Sequence, residues 1–295
     1  MMPYLFGLFS AFCFGISNTY WKTAVKSNSF SELVFFRGII TSICFGITWF
    51  ILSHFKINNS LTINGEATIL QYLTTILICL VCSLGLVFYL LSLNYCPISI
   101  SVPLSSINIF GILTAVIVLG EPFKPVYYVS FAMGITGILL TQSFKMGKIV
   151  IQWNRGATYA LLASLFWGTT YALFKFSASW LGAIPLAFLL EFCVTLIALT
   201  WMYFSKLGTL INKEQLSIKN GFHYCILAAL LFGGTLFFNL AIQQIPILVM
   251  NILGNFTLII SITMGILFYK EKLSINQIAG VSLLLASILI IQFIK

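Results

Sequence analysis

Apolar runs of similar length recur along the whole chain, at residues 3–21, 32–53, 69–92, 98–119, 125–144, 156–176, 184–204, 222–242, 247–268 and 275–293. A helix needs about 20 mainly apolar residues to cross the hydrocarbon core, whereas barrel strands alternate over about 10 residues, and these runs do not alternate. The pattern predicts an all-α polytopic membrane protein with ten transmembrane helices. Most connections are short; the exceptions, "HFKINNSLTINGEAT" and "SKLGTLINKEQLSIKN", follow the second and the seventh run. Each lies between the second and third run of its own half, a first sign of an internal repeat.

Residues 8–22 read "LFSAFCFGISNTYWK" and residues 161–175 read "LLASLFWGTTYALFK". In both, glycine is the eighth residue, a polar cluster follows and lysine closes the stretch. A shift of 153 lays Gly15 on Gly168 and Lys22 on Lys175; a shift of 150 lays Glu121 on Glu271 and Gln142 on Gln292; a shift of 149 lays Pro97 on Pro246. So nearly constant a shift indicates a duplication: a first five-helix repeat over 1–146, a linker over 147–155 and a second repeat over 156–295. Because five is odd, the second copy must enter the membrane from the opposite side. Inverted repeats of this kind place a transporter's substrate site near the midplane, where the repeats meet. Catalysis offers no comparable reason for two-faced symmetry.

Composition narrows the chemistry. Only 7% of residues are charged, against roughly 25% in soluble domains. All six acids are glutamates. Without aspartate, aspartyl dyads, Ser-His-Asp triads and aspartate-held magnesium are excluded, and His54 and His223 form no HExxH pattern. No catalytic residue, metal or cofactor is expected. The seven cysteines lie in or beside apolar runs and read as packing thiols, the Cys79–Cys82 CxxC included. Outside the spans, the loops after runs 1, 5, 7 and 9 carry ten of the basic side chains and the other side four, which by the positive-inside rule puts both termini outside. The net charge of +9 needs no nucleic acid, since basic loops beside anionic lipid account for it.

Ten runs in two halves, a small-residue first span ending in lysine ("FGISNTYWK", "WGTTYALFK"), an arginine early in span 2 ("FFRGI") and Gly-Glu before span 5 ("LGEPF") together resemble the EamA family of the drug/metabolite transporter superfamily. The resemblance covers nearly the whole chain. It implies a carrier for small metabolites, often amino acids and often outward, in the inner (plasma) membrane. The first span holds no acid, unlike the four-span multidrug members of the superfamily, so their drug/proton antiport is not implied. A membrane-embedded enzyme and a non-transporting scaffold are the alternatives. The first lacks a catalytic constellation, and the second leaves polar residues within spans unexplained.

Ala11, Gly15, Asn18 and Lys22 fall on one helical face, and Ser164, Gly168, Tyr171 and Lys175 on the equivalent one. The small half lets backbones approach, and the polar half points where the helices converge. Ser17, Asn18, Thr169, Thr170 and Tyr171 are therefore candidate substrate-binding residues; the alternative is interhelical hydrogen bonds worth about 0.6–2 kcal/mol each. Tyr89, Asn108, Asn239, Asn251 and Asn255 in spans 3, 4, 8 and 9 complete the set, Asn251 and Asn255 being one turn apart. Their neutral amides suit a neutral or zwitterionic substrate. Arg37 lies about two turns into span 2, where an unpaired charge costs at least about 2.5 kcal/mol, and Glu191 occupies the matching place in span 7. Either the two pair and tie the halves together, or inverted symmetry separates them, leaving Glu191 the candidate proton carrier and Arg37 an anion anchor. Pro97 and Pro246 read as helix-start residues. Glu121 and Glu271 are expected to complement the dipoles of spans 5 and 10. Lys22 and Lys175 are expected to snorkel to the headgroups, the alternative being capture of a substrate carboxylate.

Overall fold

The computed structural model describes residues 2–24, 30–55, 61–62, 67–95, 98–106, 109–122, 124–141, 155–206, 218–269 and 275–292. Among them all regular structure is helical: α1 (Met2–Ala24), α2 (Phe30–His54), α3 (Ile69–Tyr95), α4 (Ile98–Ser105), α5 (Ile109–Ile117), α6 (Pro125–Thr141), α7 (Arg155–Leu181), α8 (Ala183–Lys206), α9 (Ile218–Ile242), α10 (Ile247–Leu253), α11 (Asn255–Tyr269) and α12 (Ile275–Gln292).

Among the described residues, five stretches are long and apolar enough to cross a membrane: Phe30–His54, Ile69–Tyr95, Ala183–Phe204, Asn220–Ile242 and Ile247–Phe268. The expected fourth span, 98–119, is not one continuous helix. At the end of α4 the Val102 carbonyl accepts the Ser106 amide at 3.0 Å and the hydroxyls of Ser105 and Ser106 at 3.0 and 2.7 Å. Side chains that compete for backbone acceptors in this way commonly end or bend a helix. The ninth span is interrupted more mildly, between α10 and α11 at Gly254, whose backbone stays near helical (φ −57°, ψ −26°). Broken helices at membrane depth are tolerated where they line a cavity.

Each of the most extensive helix interfaces joins the first half of the chain to the second. α3 packs on α7 and α1 on α9; α5 packs on α7 and α1 on α11; α2 lies against α8, and α6 against α12. Exchanging α1–α6 for their counterparts in α7–α12 converts this set of pairings into itself. Large apolar side chains such as Ile43, Ile47, Phe50, Leu70, Leu73, Leu77, Phe204, Leu267 and Phe268 face outward. So much exposed apolar surface is expected of a protein whose surroundings are lipid.

Small residues set the closest approaches. At Gly15 a Cβ would come within 2.8 Å of Ile260 Cγ2 and 2.9 Å of the Thr257 carbonyl oxygen on α11; at Gly168 it would come within 2.8 Å of the Gly111 amide nitrogen on α5. The Gly15 carbonyl, left bare, accepts Ser261 Oγ at 3.1 Å, and Thr257 Oγ1 donates to the Ala11 carbonyl at 3.2 Å. The matched glycines of the repeat therefore do the same work twice, Gly15 seating α1 on α11 and Gly168 seating α7 on α5.

A cavity built from both halves

Between the halves lies a cavity of about 190 Å³. It is smaller than the roughly 300–1,000 Å³ of pockets for drug-sized ligands, so it suits a small metabolite. Its walls repeat the sequence duplication. Phe14 and Trp167, Asn18 and Tyr171, and Trp21 and Phe174 are pairs 153 residues apart, and all six line it from α1 and α7. Tyr89 and Asn239 are 150 apart, Ser105 and Gly254 are 149 apart, and both pairs line it as well. Positions 14, 18 and 21 recur at four and three residues, which is one face of a helix. The same spacing on α7 turns Trp167, Tyr171 and Phe174 inward.

Glycines make room for the aromatic walls. A Cβ at Gly85 would meet Trp167 Cδ1 at 2.6 Å, and one at Gly234 would meet Phe14 Cε1 at 2.8 Å. These two glycines are 149 residues apart, and the rings they seat are 153 apart. Trp167 stacks on Tyr171, with centroids 6.3 Å apart and an interplanar angle of 8°; Tyr89 lies 5.3 Å from Trp167, and Phe238 lies 5.1 Å from Tyr171. One wall is thus a continuous aromatic surface.

Charge enters the cavity only as a pair among its lining residues. Arg37 Nη1 donates to Glu191 Oε2, the two side chains being 3% and 4% exposed. Of the two arrangements open from sequence, the structure adopts contact across the halves. Among the described residues, the buried polar atoms on the walls without a protein partner include Arg37 Nε, the Tyr89 hydroxyl and Asn239 Oδ1. The Asn239 amide is oriented by its other end, since Nδ2 donates at 3.1 Å to the Ala183 carbonyl, which can only accept.

The other sequence candidates are distributed as follows. Ser17 lines the cavity while its hydroxyl donates to the Phe14 carbonyl at 2.9 Å, and Asn251 also lines it. Thr169 and Thr170 do not; their hydroxyls bond to carbonyls one turn back, at 2.8 Å to Leu165 and 2.6 Å to Phe166. Asn255 points elsewhere, with Nδ2 3.3 Å from Ser287 Oγ on α12 and against Gly134 on α6. The cavity-lining face of α10 and α11 passes through Met250, Gly254 and Thr257 and leaves Asn255 to one side. Asn108 lies outside the described residues. Sequence reasoning passed over Trp21, Trp167, Phe174, Thr235 and Phe238. The repeat shift could have found Trp167 and Phe174, since it pairs them with Phe14 and Trp21 on the inward face.

Two expectations about charged residues change. Glu121 does not serve the helix that follows it. Its Oε1 accepts the Ile247 amide at 2.8 Å and its Oε2 the Leu248 amide at 3.1 Å, capping the start of α10. Pro246 precedes that start, as a helix-start proline should, with φ −57° and ψ 143°. Lys175 does not reach for headgroups but donates to Glu121 Oε1 at 2.6 Å. Gly120 makes the geometry possible. With φ +64°, the left-handed conformation common just past a helix end, it closes α5 and lets the Glu121 amide return to the Ala115 carbonyl at 3.1 Å. Glu271, and the side chain of Lys22, lie outside the described residues.

A family model described as the EamA-like transporter family matches residues 1–142 and again residues 154–293. No curated protein matches. Among solved structures, one titled "Crystal structure of protein" is 13% identical over 97% of this chain and 96% of its own, with a TM-score of 0.66. At that identity the likeness is one of fold.

Proposed function

From the premise that the chain belongs to the EamA-like transporter family, a family of membrane transporters for small molecules, we propose that it is a secondary carrier for a small polar metabolite. An amino acid or a related compound, moved outward across the inner membrane, is the preferred reading. The two repeats, 1–146 and 156–295 joined by 147–155, span the membrane five times each in opposite senses, with both termini outside. Transport proceeds by rocking the halves about the shared cavity, which opens to each side in turn.

The observation that carries this reading is the lining of one cavity by residue pairs related by the duplication, Asn18 with Tyr171 and Tyr89 with Asn239. A site that must be approached from two faces needs walls of that kind. Ser17, Asn18, Tyr89, Tyr171, Asn239 and Asn251 contact the substrate. Counterflow in proteoliposomes against a metabolite panel tests it. Exchange of at least one solute is expected, together with a fall in uptake of tenfold or more for Asn18→Ala and Tyr171→Ala. Wild-type exchange and affinity in both variants would remove these residues from the site, and a panel in which nothing exchanges would remove the carrier reading.

A further inference from the structure

The cavity's polar walls specify more than its location. Its one cationic side chain, Arg37, is neutralised by Glu191 in direct contact, and the other polar lining residues are uncharged. Any net charge on a bound solute would therefore have no counter-ion inside a mainly aromatic enclosure, where an isolated charge is costly. Neutrality is a product of the pair and not of an absence of charge. Removing either member leaves the other as an uncompensated ion facing the substrate.

The atoms without partners give a pattern of hydrogen bonds to be met. Arg37 Nε can only donate, Asn239 Oδ1 can only accept, and the Tyr89 hydroxyl can do either. Arg37, Tyr89 and Asn239 are each at most 2% exposed, from α2, α3 and α9, and all three line the same space. A buried polar group without a partner costs more than a made bond returns, so a ligand that satisfies both a donor and an acceptor is favoured over one that satisfies neither.

Resting on the carrier reading above, we propose that Arg37 Nε, Asn239 Oδ1 and the Tyr89 hydroxyl hold the substrate, and that the Arg37–Glu191 pair selects solutes of zero net charge bearing an acceptor and a donor. Zwitterions and primary amides meet this description; simple carboxylates and simple amines do not. Arg37 and Glu191 are in this account specificity-determining residues as well as a structural tie.

The test uses matched solutes that share a skeleton and differ in charge: leucine, isocaproamide, isocaproate and isoamylamine, and the parallel set phenylalanine, hydrocinnamamide, hydrocinnamate and phenethylamine. Binding to the purified full-length carrier is read from the fluorescence of Trp21 and Trp167, which line the cavity. In the wild type at neutral pH the zwitterion and the amide of at least one set bind tenfold or more tighter than the anion and the amine. Glu191→Gln inverts this in favour of the anion, and Arg37→Gln in favour of the amine. A purely structural pair would lower stability in both variants without inverting anything. Binding of the anion or amine as tightly as the neutral solutes, or of no neutral solute in either set, overturns the proposal. The wild-type ranking decides this even if neither variant folds. Counterflow of some other metabolite in the same preparation would show that the carrier reading survives such a failure.

Discussion

At single positions, the two clearest determinants are glycines that cannot accept a methyl group and charges that cannot lose a partner. Gly168→Ala would place a Cβ 2.8 Å from the Gly111 backbone nitrogen, so two helices must separate rather than one side chain rotate. Overpacking of this kind costs about 1–3 kcal/mol. At Gly221 on α9 an added Cβ meets nothing within 4 Å, and alanine there should be neutral or add up to about 1 kcal/mol through helix propensity. Thermal unfolding in detergent should lower the transition for Gly168→Ala and leave that of Gly221→Ala unchanged or raised; equal effects would refute close packing at Gly168. For the ion pair, Arg37→Met alone should cost about 3–5 kcal/mol by stranding Glu191, while Arg37→Met with Glu191→Met should recover most of it. That asymmetry, read in the same unfolding experiment, distinguishes a stranded charge from simple loss of attraction. Both positions were legible in sequence, because a shift of 154 aligns Arg37 with Glu191 and places opposite charges at matched sites. Their contact was not legible, since spacing says nothing about which side of a midplane a side chain reaches.

At the scale of helices, the instructive cases are those in which a side chain serves an element remote in sequence. Glu121 follows α5 and precedes α6, yet its carboxylate closes the exposed amides at the start of α10, 126 residues away. Nothing in "LGEPF" names that partner; a carboxylate near a helix start is normally assigned to its own helix. Asn255 differs for another reason: the lining face runs through Met250, Gly254 and Thr257, and Asn255 lies to the side of it, where its amide meets Ser287. Thr169 and Thr170 read as cavity polarity, but a hydroxyl in a helix has a carbonyl within reach one turn back and takes it. Phe238 gave no contrast in a chain holding 28 phenylalanines. Glu121→Ala should cost about 1–3 kcal/mol by leaving the Ile247 and Leu248 amides without acceptors. Lys175, 32% exposed at its side chain, makes only the partly solvated half of the arrangement, and Lys175→Met should cost less than about 1 kcal/mol. Thermal unfolding of the two single variants would contradict the capping role if Lys175→Met proved the more damaging.

At the scale of the molecule, the duplication and the packing point to an obligate union of halves. The halves are not two separate bundles docked side by side, because the interfaces run between them: α1 lies on α9 and α11, α7 on α3 and α5, α2 on α8, and α6 on α12. Polar bonds follow the same course, with Ser10 Oγ donating to the Gly234 carbonyl at 2.8 Å, Ser130 Oγ to the Ser287 carbonyl at 2.6 Å, and Thr75 Oγ1 to Ser177 Oγ at 3.0 Å. In lipid, where apolar surface alone gives helices little reason to associate, close small-residue packing and such bonds hold the bundle together. A single repeat keeps only a part of this, such as the bonds from Asn239 to the Ala183 carbonyl, from Gln243 to the Ala178 carbonyl and from Asn255 to Ser287. Fragments 1–146 and 155–295 expressed separately should therefore lack a cooperative thermal transition by circular dichroism. Co-expressed, they should copurify through a tag on one of them and regain it. Halves that fold alone would instead each show a transition in isolation, and that result would contradict the intertwined packing. In the rocking mechanism proposed above, a small relative rotation of the halves changes access to the cavity between them, and the pairings of α2 with α8 and of α6 with α12 are the candidate pivot.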